Sequence, residues 1–365
     1  MQQREACFAC STPYQVMGAI SITIYKKLDA DIYIFGMFPG YAEVANRIRK
    51  ENIFTNTYAV NAEIFGAPGR KGAFIQMVKC RETVSAFLSD DIIYRTLYAS
   101  SRSHIKNLLL HELLRRNKDL QIVVYDDGLG MYAKDSHVLN TTKIRGIAEK
   151  LFGWDLYQPE RMSFMVNMPD LFEKPDYLQQ SKVIQMPRLP WNTKNRKLFM
   201  NVFGATDNDI INERVIIFDS LRGFNPLRDK TMRTLDSCFD QAAEVFGKNN
   251  VIMKPHPKSC ERTSADVVLY ENAGIPMEVL YAGMTQLDEK VLIAYASSAV
   301  YTPKMFFDAE PWIINCFRIT DNINGRVSEW EEPYHKFKSI YRAPEKVLAP
   351  RTLEEYYSCI RRIKL

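Results

Sequence analysis

The sequence has little of what marks a membrane-spanning, secreted or nucleic-acid-binding chain. No stretch of its 365 residues reaches the roughly 18 consecutive apolar residues that a membrane span needs, and residues 1–5 do not begin a signal peptide. Seven cysteines are too few for a disulfide scaffold, and their odd number favours a reducing compartment, the cytoplasm. A net charge of +5 does not call for nucleic acid, although it suits an anionic ligand or loose contact with an acidic membrane.

Internal repeats, low-complexity segments and complete metal or phosphate motifs are also missing. The glycine-containing segment Gly66–Gly72 lacks the P-loop pattern and is predicted to be a surface loop. Asp207 and Asp209 have D-x-D spacing but precede a strand, which favours a loop over a metal site. Cys7 and Cys10 have C-x-x-C spacing inside an apolar run, where the odd offset favours buried structural thiols over a redox or metal pair.

The sequence does contain alternating short apolar runs and longer amphipathic stretches. A chain of 365 residues that is 46% hydrophobic is long enough for roughly two domains of about 150 residues. Strands separated by helices predict βαβ units on a parallel sheet. The alternation occurs twice, and a proline-containing segment at 154–209 lies between. The predicted strands are Ala6–Cys10, Asp31–Phe35, Thr57–Val60, Ile92–Tyr98 and Gln121–Tyr125, then Arg214–Phe218, Val251–Lys254, Val267–Tyr270, Val291–Ala296 and Trp312–Cys316.

The predicted fold is therefore α/β, with two Rossmann-like domains in series whose parallel sheets face an interdomain cleft. We place the first domain at 1–190, the second at 191–345, and a C-terminal helix at 346–365 that could pack back on the first domain. Ligands of open α/β sheets bind at the carboxyl ends of the strands. The candidate functional residues are therefore those that directly follow the strands.

After the first strand, Ser11, Thr12 and Gln15 surround the start of a helix. Hydroxyl groups and free backbone N–H groups at a helix start can hold an anion. The alternative is that Thr12 only caps the helix, with Pro13 at its first position.

Two adjacent carboxylates, Asp126 and Asp127, follow the fifth strand and precede Gly128. Like charges this close raise the pKa of one of them, which helps a general base to remove a proton from a hydroxyl near neutral pH. The alternative is an Asp-Gly turn with solvated carboxylates.

The strand ends of the second domain carry groups that suit a phosphate and a ribose. His256 precedes Pro257 after a strand and could donate a proton or a hydrogen bond to a leaving phosphate. Ser297 and Ser298 precede a helix start, where paired hydroxyls and N–H groups suit a phosphate. Glu278 lies in the first turn of a short helix and offers an acceptor for a ribose diol. Helix caps and structural side chains are the alternatives.

Taken in order, these motifs resemble the bacterial sialyltransferases of the GT-B fold, in particular the lipooligosaccharide sialyltransferase and polysialyltransferase group. The shared marks of those enzymes are a D/E-D/E-G motif, an HP motif and a later Ser-Ser or Ser-Thr pair. This sequence has Asp126-Asp127-Gly128, His256-Pro257 and Ser297-Ser298. Its residues 10–15, Cys-Ser-Thr-Pro-Tyr-Gln, are similar to the start of the lipooligosaccharide group.

The resemblance implies an inverting, metal-independent transfer from CMP-sialic acid to a hydroxyl, with no cofactor. By this pattern one Asp of the pair is the general base, and we prefer Asp127 to Asp126. In parts of the group the base comes from the second domain, where Asp219 is the local candidate and a capping Asp is the alternative. The residues assigned to the donor are His256, Pro257, Glu278, Ser297 and Ser298, together with Ser11, Thr12, Gln15 and Gly128.

The implied partners are CMP-sialic acid and a glycan acceptor, such as a galactoside of a bacterial capsule or lipooligosaccharide, and no nucleic acid. The basic segment at 361–364 is compatible with peripheral contact at the cytoplasmic face of the inner membrane, and a homodimer is compatible with the sequence. Two rival functions stay open. One is a GT-B glycosyltransferase that uses another nucleotide sugar, and the other is a non-catalytic glycan-binding or assembly protein.

Overall fold

The computed structural model describes residues 2–62, 75–100, 103–132, 156–189, 192–219, 229–256, 263–272, 274–295, 297–324 and 330–364. The chain divides into two compact units, Met1–Gly204 and Ala205–Leu365. Each unit contains one parallel β-sheet with helices, so the predicted two-domain α/β fold is confirmed.

The first unit contains a seven-stranded parallel sheet in the order β3-β2-β1-β4-β5-β6-β7. Its strands are β1 Gln2–Cys10, β2 Ala30–Phe35, β3 Asn56–Val60, β4 Ile92–Ala99, β5 Gln121–Tyr125, β6 Met162–Val166 and β7 Lys182–Gln185. Its α-helices among the described residues are α1 Pro13–Lys26, α2 Tyr41–Glu51, α3 Cys80–Ser85, α4 His104–Arg116 and α5 Thr193–Phe203.

The second unit contains a six-stranded parallel sheet in the order β10-β9-β8-β11-β12-β13. Its strands are β8 Val215–Phe218, β9 Val251–Lys254, β10 Val268–Leu269, β11 Val291–Ala294, β12 Trp312–Asn315 and β13 Val347–Leu348. Its described α-helices are α6 Asp229–Phe246, α7 Met277–Gly283, α8 Phe317–Asn324, α9 Glu331–Ser339 and α10 Leu353–Lys364.

The two sheets share one topology. In each, the first strand of the unit is central, the next two strands along the chain extend to one side, and the fourth begins the other side. The strand order therefore reverses between β1 and β4 in the first sheet and between β8 and β11 in the second. Ligands of open α/β sheets bind beyond the strand ends at such reversals.

Strands buried on both faces form the centre of each sheet. In β1 the segment 6–10 is completely buried, as is all of β2, because helices cover both faces of a parallel sheet. Helix α1 begins as the sequence predicts, with the Thr12 hydroxyl oxygen accepting a hydrogen bond from the Gln15 N–H (3.2 Å) and Pro13 at the first helical position.

The last helix, α10, packs within the second unit. Its buried residues Tyr356, Ile360 and Ile363 belong to the same apolar core as Phe239 of α6, and the Tyr356 hydroxyl donates a hydrogen bond to the Cys238 carbonyl (2.8 Å). Packing of this helix on the first domain, the expectation from the sequence, stays a prediction. A stripe of apolar residues at helical spacing shows that a helix has a buried face, but it does not identify the element that covers that face.

The segment at 154–209 is more regular than its prolines suggested, and the unit boundary follows Gly204 rather than residue 190. It contains β6, β7 and α5. Pro159 begins a short 3₁₀ turn directly before β6 and Pro169 begins another between β6 and β7, so they interrupt no strand. Helix α5 belongs to the first unit, where the Asn201 amide donates a hydrogen bond to Glu51 of α2 (3.1 Å).

Cys7 and Cys10 are buried thiols, as predicted from their position in an apolar strand. Among the described residues, no helix is long and apolar enough to cross a membrane. The predicted loop at Gly66–Gly72 lies outside the described residues.

Candidate functional site

In the first unit, the carboxyl ends of β1 and β5 are joined by hydrogen bonds. The Ser11 N–H donates to Gln15 Oε1 (2.7 Å), and Gln15 Nε2 donates to Asp127 Oδ1 (2.9 Å). The Tyr14 hydroxyl donates to Asp126 Oδ1 (2.9 Å). The residues that the sequence analysis selected after the first and fifth strands therefore form one cluster.

Asp126 is a fully buried carboxylate with both oxygens occupied. Its Oδ1 accepts hydrogen bonds from the Tyr14 hydroxyl and from the Gly128 N–H (2.8 Å). Its Oδ2 accepts from the Asn167 N–H (2.9 Å) and from the Tyr132 hydroxyl. Burial raises the pKa of the Asp126 carboxyl, and these donors oppose the rise. A carboxylate has about four acceptor positions, so Asp126 is fully engaged in fixing the loop after β5.

Asp127 is partly exposed and much less engaged. Among the described side chains and backbone groups, only Gln15 donates a hydrogen bond to its carboxylate. Burial raises the pKa of Asp127. The nearby Lys106 ammonium opposes that rise, as does Gln15, while Asp126 adds to it. Asp127 therefore has the exposure and the vacant lone pairs that proton transfer from a hydroxyl requires.

Gly128 has φ of +88°, in the region that favours glycine. Its N–H donates a hydrogen bond to Asp126 Oδ1 (2.8 Å), so the side chain of Asp126 closes a turn with the backbone two residues later. The turn of the predicted alternative is therefore present, but the Asp126 carboxylate that closes it is buried and not solvated.

In the second unit, three neighbouring strands, β9, β8 and β11, end side by side. His256 follows β9 and is partly buried, Asp219 follows β8 and is 8% exposed, and Ser297 follows β11. The Asp219 N–H donates a hydrogen bond to the Lys254 carbonyl (3.2 Å). The topology therefore puts Asp219 at the end of the strand between those that precede His256 and Ser297, at the reversal of strand order.

Lys254 is a buried cation at the end of β9, 6% exposed, with its Nζ 5.2 Å from the centroid of the Tyr270 ring. Burial lowers the pKa of Lys254 to about 8, and the Glu278 carboxylate opposes that fall. Burial likewise raises the pKa of Glu278, and Lys254 opposes the rise. Glu278, which is predicted to bind the ribose, is thus electrostatically coupled to Lys254, and Lys254 directly precedes the Pro-His-Pro segment.

Ser297 caps the 3₁₀ turn Ser298–Val300, since its Oγ accepts a hydrogen bond from the Ala299 N–H (3.3 Å). Its own O–H proton remains a donor. The carbonyl of Ser298 accepts a hydrogen bond from Thr302 Oγ1 (3.3 Å), which also donates to Glu278 Oε1 (3.5 Å). Thr302 therefore links the turn after β11 to the start of α7.

In the first unit, hydrogen bonds join five of the predicted residues into one group: Ser11, Gln15, Asp126, Asp127 and Gly128. In the second unit, the predicted residues follow three neighbouring strands or begin α7: His256, Asp219, Ser297, Ser298 and Glu278. Thr12 acts as a helix cap. Pro257 lies outside the described residues.

Three residues that sequence reasoning passed over also belong to these groups. The Tyr14 hydroxyl donates to Asp126, and Lys106 Nζ donates to Gln15. Lys254 precedes the His256 segment. Lys106 had a sequence signal, since it is a lysine at helical spacing with Leu109, Leu110 and Leu113. A charged residue on an apolar helix face is unusual enough to mark a buried partner.

Asp209 of the D-x-D segment has a structural role. Its Oδ2 accepts hydrogen bonds from the N–H and the hydroxyl of Thr206 (both 2.7 Å), and the Asn272 amide donates to its Oδ1. In the described part of the chain, no group of three or more histidine, cysteine, aspartate or glutamate side chains could hold a metal ion.

No protein-family model matches the sequence, and no curated protein matches it. Among solved structures, the chain is similar in fold to a UDP-glucose:anthocyanidin 3-O-glucosyltransferase in complex with UDP, at 9% identity and a TM-score of 0.45 over 100% of this chain and 95% of that one. It is also similar to the UDP-GlcNAc 2-epimerase from Neisseria meningitidis bound to UDP-GlcNAc, at 10% identity and a TM-score of 0.46 over 99% of both chains.

Proposed function

We propose that the protein is an inverting, metal-independent sialyltransferase that moves sialic acid from CMP-sialic acid to a sugar hydroxyl of a bacterial surface glycan. The observation that carries the proposal is the division between two adjacent carboxylates. Asp126 is saturated with donors, whereas Asp127 is partly exposed and bonded only to Gln15 among the described residues. One carboxylate holds the loop, and its neighbour is left for proton transfer.

In the proposed reaction, Asp127 accepts the proton of the acceptor hydroxyl as the new bond from that oxygen to the anomeric carbon forms. The bond between the anomeric carbon and the phosphate oxygen of CMP breaks, and its electron pair leaves with CMP. Attack from the face opposite to the leaving group inverts the anomeric centre. General base catalysis of this kind contributes about 10²–10⁴ to the rate.

The second unit supplies the groups for the departing nucleotide. His256, Ser297 and Ser298 offer hydrogen bonds to the phosphate, and the buried Lys254 ammonium offers charge. Glu278 offers an acceptor for the ribose hydroxyls. Because the leaving group is an anion, cationic and hydrogen-bonding groups can stabilise its charge without a metal.

Asp219 is the rival base. It is favoured by its place directly after β8, the strand between those that precede His256 and Ser297, at the reversal of strand order. Against it stands its low exposure of 8%. Asp127→Asn and Asp219→Asn, compared at equal donor saturation, identify the base as the position whose change lowers turnover without weakening CMP binding.

We also propose that transfer takes place on the cytoplasmic side of the membrane. All described cysteines are free thiols, which suits a chain that works in a reducing compartment.

Calorimetric titration with CMP, UDP and GDP tests the donor class. Binding of CMP alone supports the proposal, binding of UDP or GDP alone indicates a transferase for another nucleotide sugar, and binding of none indicates a non-catalytic protein. Product analysis with CMP-sialic acid and a panel of galactosides then identifies the acceptor and the linkage.

A further inference from the structure

A buried lysine lies behind the candidate base. Lys106, in the first turn of α4, is 2% exposed, and its Nζ donates a hydrogen bond to Gln15 Oε1 (3.1 Å). The Ser11 N–H donates to the same amide oxygen (2.7 Å). With its oxygen held by two donors, the Gln15 amide presents its NH₂ group to the other side, where it donates to Asp127 Oδ1 (2.9 Å).

We propose that Lys106 is a positioning residue for Asp127, fixing the orientation of the Gln15 amide and keeping the Asp127 carboxylate ionised. This inference rests on the proposed function, in which Asp127 is the base. Lys106 does not touch the carboxylate, so it acts through the Gln15 bridge and through its charge.

Three other described titratable groups near Lys106 are a thiol and two phenols. They are the Cys10 thiol on β1, the Tyr125 phenol on β5 and Tyr157, which lines a cavity of about 10 Å³ beside Lys106. Burial raises the pKa of Cys10 to about 12 and that of Tyr125 well above its usual range, so both are neutral near pH 7. Among these described groups, Asp127 is therefore the negative partner of the lysine.

The cost of burying an ammonium group indicates that the lysine has a use. Burial lowers the pKa of Lys106, and Asp127 raises it again. Methionine has a similar length and no charge, so Lys106→Met removes the ammonium with little change in volume. The neighbouring cavity of about 10 Å³ holds at most one water, which leaves no room for the longer arginine.

The chain offers a matched control in Lys290. This lysine is also buried, at 7% exposure, but it lies in the second unit, and its Nζ donates to the carbonyls of Asn212 and Glu213 (both 2.8 Å). Lys290→Met therefore removes a buried ammonium of the same kind without changing the Gln15 bridge.

The test is a ¹³C NMR titration of the aspartate carboxyls in the full-length protein, with the Asp127 signal assigned by its loss in Asp127→Asn. In Lys106→Met we expect the Asp127 midpoint to rise by about one pH unit, since a charge near a carboxylate shifts its pKa by an amount of this order. In Lys290→Met the midpoint should not move. In the pH profile of kcat/KM, the acidic limb should move to higher pH together with the Asp127 midpoint in Lys106→Met, and it should stay in place in Lys290→Met.

An Asp127 midpoint that is the same in the wild type and in Lys106→Met overturns the inference, as does an equal shift in Lys290→Met. If Lys106→Met does not fold, Gln15→Leu removes the bridge alone, and an unmoved midpoint in that variant overturns the inference. A raised midpoint in Lys106→Met combined with full activity of Asp127→Asn supports the link between the two residues. That combination would instead refute Asp127 as the base.

Discussion

Replacing Asp126 and Asp127 in turn by asparagine should give opposite results, although the two residues are adjacent and the chemical change is the same. Asparagine at 126 keeps one oxygen but puts an NH₂ group where a carboxylate oxygen now accepts donors. The backbone N–H of Gly128 or of Asn167 then faces a second donor in a buried site. An unsatisfied buried donor costs about 1–3 kcal/mol. Because two donors lose their partner, we expect Asp126→Asn to lose roughly 2–4 kcal/mol of unfolding free energy.

Asparagine at 127 can keep its only described side-chain hydrogen bond. Its Oδ1 still accepts from Gln15 Nε2, and its NH₂ group replaces the oxygen without a described donor. No described donor loses its partner, but the buried Lys106 ammonium loses a nearby negative charge, so we expect a loss of unfolding free energy of about 1 kcal/mol, smaller than that of Asp126→Asn. Turnover should fall by about 10²–10⁴, because an amide cannot accept the acceptor's proton.

Urea unfolding followed by hydrogen exchange of the first unit, together with initial rates of transfer from CMP-sialic acid, measures both effects. Each variant is the control for the other. Wild-type turnover in Asp127→Asn would refute its assignment as the base. Equal loss of stability in both variants would refute the division between a structural and a reactive carboxylate.

Three further predictions concern the second unit. His256→Ala should lower kcat by about 10² with little change in Tm, since a partly buried acid or hydrogen-bond donor acts on the leaving group, and unchanged turnover would refute that role. Burial lowers the pKa of Lys254 to about 8, so the lysine loses its positive charge and CMP affinity should fall as pH rises through about 8. Lys254→Met should bind CMP about tenfold more weakly and should lack this pH dependence. Calorimetry at several pH values measures both effects. Glu310 accepts hydrogen bonds from the Ala343 N–H and from Lys304, and its pKa is lowered to about 2. The stabilisation by the ionised Glu310 is present above about pH 4.5 and is lost as pH falls through about 2. Glu310→Gln should therefore have an unfolding free energy about 2–3 kcal/mol lower at pH 7, and that free energy should fall less than in the wild type over the acidic range. An acid-unfolding curve identical to that of the wild type would contradict this.

Most of the sheet architecture was predictable because short apolar runs alternate with amphipathic helices in both units. The strands at Gln121–Tyr125 and Val251–Lys254 were predicted at their observed bounds. Strand β7 was missed because it is a short edge strand with largely exposed residues, which leaves no apolar run to detect. Strand β6 was missed because the flanking prolines suggested an irregular region.

The candidate site was predictable in its residue types but not in the division of roles. The donors to Asp126 come from distant parts of the chain, since Tyr14 lies 112 positions away and Asn167 lies 41 positions away. Periodicity and motif spacing contain no information on which of two adjacent carboxylates such donors will reach. Lys106 was likewise visible only as an isolated charge among leucines, and its partner Gln15 is 91 positions away.

The left-handed backbone at Gly128 limits which residues a laboratory library can place there. A side chain there would cost about 1–2 kcal/mol in backbone strain alone. A library randomised over 126–128 should therefore return glycine at the third position and aspartate at the first from a selection for folding only. The middle position should vary more widely under that selection and should return to aspartate when survival depends on product. The three adjacent residues of the motif would then be under two kinds of selection: folding would select the first and third, and product formation would select the second.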